Sequence, residues 1–164
     1  MAEKSEAAFE MLMSGTIDCD VSSKLQQSEG ITESMRWVST RRVQSFFRKA
    51  VLGSYKNKCA LTGLTSPELL IASHIIPWSE DESRRADPTN GICLNALHDK
   101  AFDRNLITFD EDYRLVVSSV LKSKDISEFE HRNFIRLEGV KLCLPHRFLP
   151  DPDALSKHRD AFLK

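Results

Sequence analysis

The 164-residue chain has no stretch close to the roughly 18 consecutive apolar residues that a membrane span needs. An integral membrane protein is therefore not expected. The opening residues, Met1-Ala2-Glu3-Lys4-Ser5, carry no basic and then apolar leader, and the expected location is cytoplasmic. Cysteine is scarce, and Cys19, Cys59, Cys93 and Cys143 stand far apart. The absence of a Cys-x-x-Cys pair disfavours a cysteine zinc knuckle. Reduced thiols packed as small hydrophobes are the expectation. No internal repeat or low-complexity tract interrupts the chain. What is present, 41% hydrophobic and 29% charged residues, suits a soluble globular domain with a short arm. A domain of this length buries about 68–70% of its unfolded surface and needs no disulfide staples.

The net charge of −1 hides a segregation. Residues 1–35 hold seven acids and two bases, a balance of −5. Residues 36–58 hold seven bases (Arg36, Arg41, Arg42, Arg48, Lys49, Lys56 and Lys58) and no acid, a balance of +7. The remainder carries −3. A local excess of this size beside a neutral whole implies one surface that faces a polyanion.

Ala8, Phe9, Leu12 and Met13 fall on one helical face, and Gly15 offers a stop. Residues 16–35 are polar without a period and read as a loop or mobile arm. A helix is predicted over about 41–52, capped by Ser39 or Thr40 and ended by Gly53. Val43, Phe47, Ala50 and Val51, with Phe46 beside them, make its core stripe. Arg41 and Arg48, like Arg42 and Lys49, are seven apart and form two basic rows beside it. Residues 68–76 read as a strand stopped by Pro77, and Ile92-Cys93-Leu94 as a second, very short one. Asn95 is a good cap for a helix running to about Phe102. The runs 106–109 and 113–117 flank Asp110-Glu111-Asp112 as a hairpin. Strands over 134–137 and 140–144 are expected to bracket Glu138-Gly139. Asp151-Pro152 opens a final helix. The class is α+β, with short strands and no βαβ repetition.

Residues 69–103 hold His74 at a strand end, Asn90 sixteen residues later, His98 eight further on and Asp103 five beyond that. Phosphodiester hydrolysis asks for a group that deprotonates water and for positive charge near the phosphate oxygens. Histidine suits the first task, since its ordinary pKa of about 6.5 leaves it largely neutral at pH 7. A divalent cation held by imidazole and carboxylate suits the second. An asparagine that both donates and accepts can orient the base.

The runs Cys59-Ala60-Leu61-Thr62-Gly63, Ser73-His74-Ile75-Ile76-Pro77-Trp78, Asn90-Gly91-Ile92-Cys93-Leu94, Leu97-His98 and Phe102-Asp103 together resemble the HNH endonucleases, in particular a branch described as restriction endonucleases. Arg41-Arg42-Val43-Gln44, Phe47-Arg48, Leu144-Pro145 and His158-Arg159 resemble that branch too. The likeness covers roughly residues 40–163. It implies a ββα-metal (His-Me finger) core at about 69–103, with flanking helices and an additional β-hairpin. It also implies a nuclease domain over 39–164 behind a helical or mobile arm of residues 1–38. By the resemblance, His74 is the general base and Asn90 fixes the loop and the base. His98 is then a metal ligand, with Asp103 the first choice for a second ligand and Asp99 the next. Residues five apart on a regular helix lie about 140° apart, so the helix must end or tighten for His98 and Asp103 to converge. The implied cofactor is one divalent ion, Mg²⁺ before Mn²⁺, Ni²⁺ or Zn²⁺, and the implied partner is DNA, with a homodimer as an option. Arg41, Arg42, Arg48 and Lys49 are the expected DNA contacts. Two departures from the family pattern stand out: Ser73 occupies a place where many members carry an acid or a histidine, and zinc-knuckle cysteines are missing. Two other readings are a DNA-binding or regulatory module that keeps the fold without turnover, and an interaction protein acting through acidic residues 1–35. Trp78 is expected in the core.

Overall fold

The computed structural model describes residues 29–122 and 125–162. It divides into two units, Met1–Thr40 and Arg41–Lys164. The helix predicted near Ala8–Met13 lies outside the described residues, as does Cys19.

Helix α1 runs Glu29–Ser54, beginning well before the expected start at 41. Ser39 and Thr40 are therefore interior residues, and residues 29–35 are helical rather than loop. The stretch 31–52 has no glycine or proline, and extending a formed helix costs little per added residue, so helix propagates without an apolar period. Phe47 and Val51 are fully buried, whereas Phe46 is 58% exposed and leaves the expected stripe.

Strands β1 (Leu70–His74) and β2 (Gly91–Asn95) pair antiparallel, with Ser73 opposite Ile92 and His74 opposite Gly91. Helix α2 (Ala96–Asp103) follows directly, and the Asn95 side chain accepts the His98 N–H at 3.0 Å as its cap. Phe47 and Val51 of α1 lie tight against β2: a Cβ at Gly91 would meet Val51 Cγ2 at 2.5 Å and the Phe47 ring at 2.8 Å. Ile75, Ile92, Leu94 and Phe102 are fully buried around this junction. Cys59 and Cys93 are free buried thiols and Cys143 is a free exposed one. Burial in apolar surroundings pushes the Cys93 thiol up to about 12.

The expected hairpin forms as β3 (Ile107–Phe109) and β4 (Leu115–Val117), a second two-stranded sheet. Asp110 Oδ1 accepts from the backbone N–H of Asp112 and Arg114 across the turn. The strands expected over 134–137 and 140–144 do not form. Helix α3 (Glu128–Asn133) opens on a capping box in which Ser127 and Glu130 satisfy each other's backbone N–H, and Ile135–Leu137 continues it as a 3₁₀ turn. Only the bridge between Arg114 and Lys141 remains of the second strand. Helix α4 (Pro152–Phe162) starts where expected, with Asp151 Oδ1 accepting the Asp153 N–H at 2.9 Å, and packs on β3. The whole is α+β, and no helix among the described residues is long and apolar enough to cross a membrane.

Candidate active site

The end of β1 and the exposed face of α2 form opposite walls of a cleft of about 610 Å³. His74, the last residue of β1, stands on the first wall. Its ring lies flat on Phe47, with centroids 3.7 Å apart, and meets the edge of Trp78 at 5.7 Å. His74 Nε2 is 3.2 Å from the Arg85 carbonyl oxygen. A carbonyl only accepts, so Nε2 carries the proton in this contact and Nδ1 keeps its lone pair. Burial holds the imidazole below its ordinary pKa, against smaller opposing effects from the Arg85 carbonyl and the Asp103 carboxylate. The ring is thus neutral at pH 7.

The loop between β1 and β2 supplies that carbonyl, and Asn90 shapes the loop. Asn90 is buried; its Oδ1 accepts the Ile76 N–H at 2.8 Å and its Nδ2 donates to the Ile76 and Arg84 carbonyls. The Arg84 side chain pairs with Asp87 and with Asp151 at the start of α4. Arg85 donates to the Trp78 carbonyl at 2.9 Å, and its guanidinium lies over the Trp78 ring. Trp78, expected in the core, lines the cleft instead.

Asp99 and Asp103, one turn apart on α2, share the opposite wall. Burial and then the neighbouring Asp103 charge raise the Asp99 pKa, while Ser73 and Lys100 oppose the rise. The Ser73 hydroxyl is buried beside this carboxylate yet makes no well-formed hydrogen bond. His98 is not in the cleft. It is fully buried, with Nδ1 2.9 Å from Asn95 Oδ1, Nε2 2.9 Å from the Asn133 carbonyl and its ring edge against Phe134. Both nitrogens face protein partners, so the arrangement leaves no lone pair turned toward the acids. The reason is helical geometry: α2 stays regular through Asp103, and a five-residue offset turns the two side chains about 140° apart.

Among the described residues no trio of histidine, cysteine and acidic side chains is grouped as a metal cage. A paired carboxylate with one unsatisfied hydroxyl beside it still suits a hard cation. Mg²⁺ typically keeps several waters and takes only one or two protein carboxylates together with substrate phosphate.

The expected DNA contacts are dispersed. Arg41, Arg42 and Lys49 are exposed on α1 and do not line the cleft. Arg48 is a clamp, donating to the Leu70 carbonyl at 2.9 Å and to the Pro67 carbonyl at 3.3 Å. The cations that do line the cleft are Lys100 of α2, Arg104 just after its end and Lys157 of α4. The first two were legible as neighbours of Asp99 and Asp103, whereas Lys157 reaches the site only through the tertiary fold. His158 beside it is structural: it stacks on Phe102 at 3.8 Å and bonds Thr108 and the Phe102 carbonyl.

Residues 59–110 match the sequence family described as HNH endonuclease. This segment is similar to the HNH endonucleases. Its bounds take in His74, Asn90, Asp99 and Asp103, as well as His98. No curated protein matches the chain. Among solved structures, a modification-dependent TagI restriction endonuclease aligns at 19% identity and a TM-score of 0.48, covering 70% of this chain and 36% of that one. The chain thus spans about a third of the length of that protein.

Proposed function

We propose that the protein is a metal-dependent HNH endonuclease that hydrolyses DNA phosphodiester bonds in the β1–α2 cleft. The observation that carries this reading is a neutral imidazole, with Nδ1 free, in one cleft with Asp99 and Asp103, which Glu80, Lys100, Arg104 and Lys157 also line. His74 takes the proton of the attacking water at Nδ1. The Arg85 carbonyl holds its other nitrogen, and Asn90 holds the loop that presents Arg85. Phe47 fixes the plane of the ring by stacking. Lys100, Arg104 and Lys157 bind phosphate oxygens, which gives affinity without sequence choice. Arg41, Arg42 and Lys49 extend that contact along α1.

Asp99 and Asp103 would hold the divalent cation, Mg²⁺ by their oxygen chemistry, and His98 acts as a buried brace for α2 rather than as a ligand. When bound, the cation supplies positive charge to the departing oxygen. The described residues form one such cleft, so double-strand cutting would point to a homodimer.

The deciding experiment is nicking of supercoiled plasmid with Mg²⁺, Mn²⁺ or Ni²⁺, with EDTA as the control, using the parent and His74→Ala. The parent should nick only with metal, and His74→Ala should lose about 10²- to 10⁴-fold in rate with its fold intact. Equal rates would remove His74 as the base. One observation favours a second reading: Ser73 stands where an acid would complete the ligand set. If no metal supports cleavage while DNA binding persists, the chain is a binding module on this fold.

A further inference from the structure

A second cavity, of about 480 Å³, shares no lining residue with the catalytic cleft. It lies between the turn after α1 and the segment 141–146. Lys56 and Lys58 line one side, Lys141 and His146 the other, and no aspartate or glutamate lines it. Among the described residues none of the three lysines is in an ion pair. Leu61 and Leu144 add apolar surface, and Tyr55 adds a ring whose buried hydroxyl no protein atom satisfies.

The backbone holds this site in an uncommon form. Lys56 and Asn57 have φ of 54° and 52°, both left-handed. Lys56 N–H donates to the Gly53 carbonyl at 3.1 Å and Asn57 N–H to the Leu52 carbonyl at 2.9 Å. This is a helix-closing pattern whose left-handed position is ordinarily glycine. A lysine there is strained, and strain of this kind gathers at functional sites. The negative end of α1 favours cations at Lys56 and Lys58. It does not account for Lys141 and His146, which arrive on a separate segment tied in by the Cys143 N–H to the Ala60 carbonyl at 2.8 Å. The volume falls within the range of about 300–1,000 Å³ found for small-molecule sites.

We propose that this cavity is a phosphate site for a nucleotide, distinct from the catalytic cleft. The lysines take the phosphate, and Leu61 and Leu144 face the attached sugar or base. The phosphate comes from a free mononucleotide or from the backbone of bound DNA. The site does not depend on the cleft being catalytic.

The test is to titrate the ¹⁵N-labelled His74→Ala protein, residues 1–164, with dAMP and, separately, with a short DNA duplex. Backbone amides of residues 54–63 and 141–146 are followed beside those of the cleft. With dAMP at millimolar concentration the first set should shift. Lys56→Ala combined with Lys141→Ala should weaken that response about tenfold or more, the loss expected for a charge-assisted contact. Shifts in the same amides with duplex alone would assign the phosphate to the DNA backbone; shifts with dAMP would assign it to a free nucleotide. Silence of those amides with both probes overturns the proposal, whatever the cleft amides do. Lys56→Gly separates binding from folding, because glycine suits the left-handed backbone: stability should hold or rise while binding falls. Unchanged dAMP binding in the Lys56→Gly and Lys141→Ala single variants would overturn the assignment of the phosphate to these lysines.

Discussion

The single imidazole of His74 shows how side-chain chemistry is set by its immediate contacts. Phe47 covers one face and Trp78 closes an edge, so burial disfavours the charged form, and the Arg85 carbonyl on Nε2 opposes this more weakly. With His74 as the proposed base, cleavage needs the neutral ring. Rate should therefore rise with pH through the folded-state pKa of His74, and because that pKa is depressed, the midpoint of the acid limb should fall below 6.5. A pH–rate profile under single-turnover conditions reads it directly, and a midpoint above 6.5 would contradict the burial argument. The placement of His74 at a strand end and of Asn90 in the turn before β2 was legible at this scale from the residues around them. The full burial of His98 was not. Its spacing from Asp103 already implied opposite helix faces, but only the fold shows that the inward face carries the histidine and the outward face Asp99 and Asp103.

At the scale of elements, the decisive contact is between α1 and the β1–β2 pair. Gly91 lets the helix approach so closely that Phe47 reaches the ring of His74. Gly91→Ala should cost about 1–3 kcal/mol in unfolding free energy, because the new methyl meets Val51 and the Phe47 ring in a packed core. Cleavage should fall further than stability accounts for, since Phe47 must move from under His74. Denaturant unfolding and nicking rate, measured on one preparation, would separate the two effects. β1, β2, α2, the hairpin and α4 were all legible from apolar runs, caps and turn residues. The segment 134–144 was not. Phe134, Ile135 and Leu137 look like strand residues, but the Ser127–Glu130 capping box starts a helix before them and carries the chain into a 3₁₀ turn. The polar start of α1 was missed for the complementary reason, since propagation needs no apolar stripe.

For the molecule as a whole, three buried or half-buried histidines, His74, His98 and His158, all have depressed pKa values, with burial the leading cause in each. His158 is held lowest, at about 4. A histidine depressed on folding binds its proton more readily in the unfolded chain, so its contribution is complete above pH 6.5 and is lost as pH falls toward 4. Unfolding free energy should drop across that window, with His158 alone accounting for about 3 kcal/mol. His158→Asn should flatten the pH dependence of chemical denaturation between those limits; an unchanged slope would show that the ring titrates normally. Sequence separation also hid one side chain of the cleft, because Lys157 enters it only once α4 has docked on β3.

The pairing of Arg84 with Asp151 makes the C-terminal helix more than an appendage. One guanidinium ties the loop that steers the His74 ring to the residue that opens α4, so Asp151→Ala would slacken the hold on the imidazole while leaving Lys157 in place. A variant of that kind that still folds but cuts poorly would be reporting a lost tether, not a lost reagent.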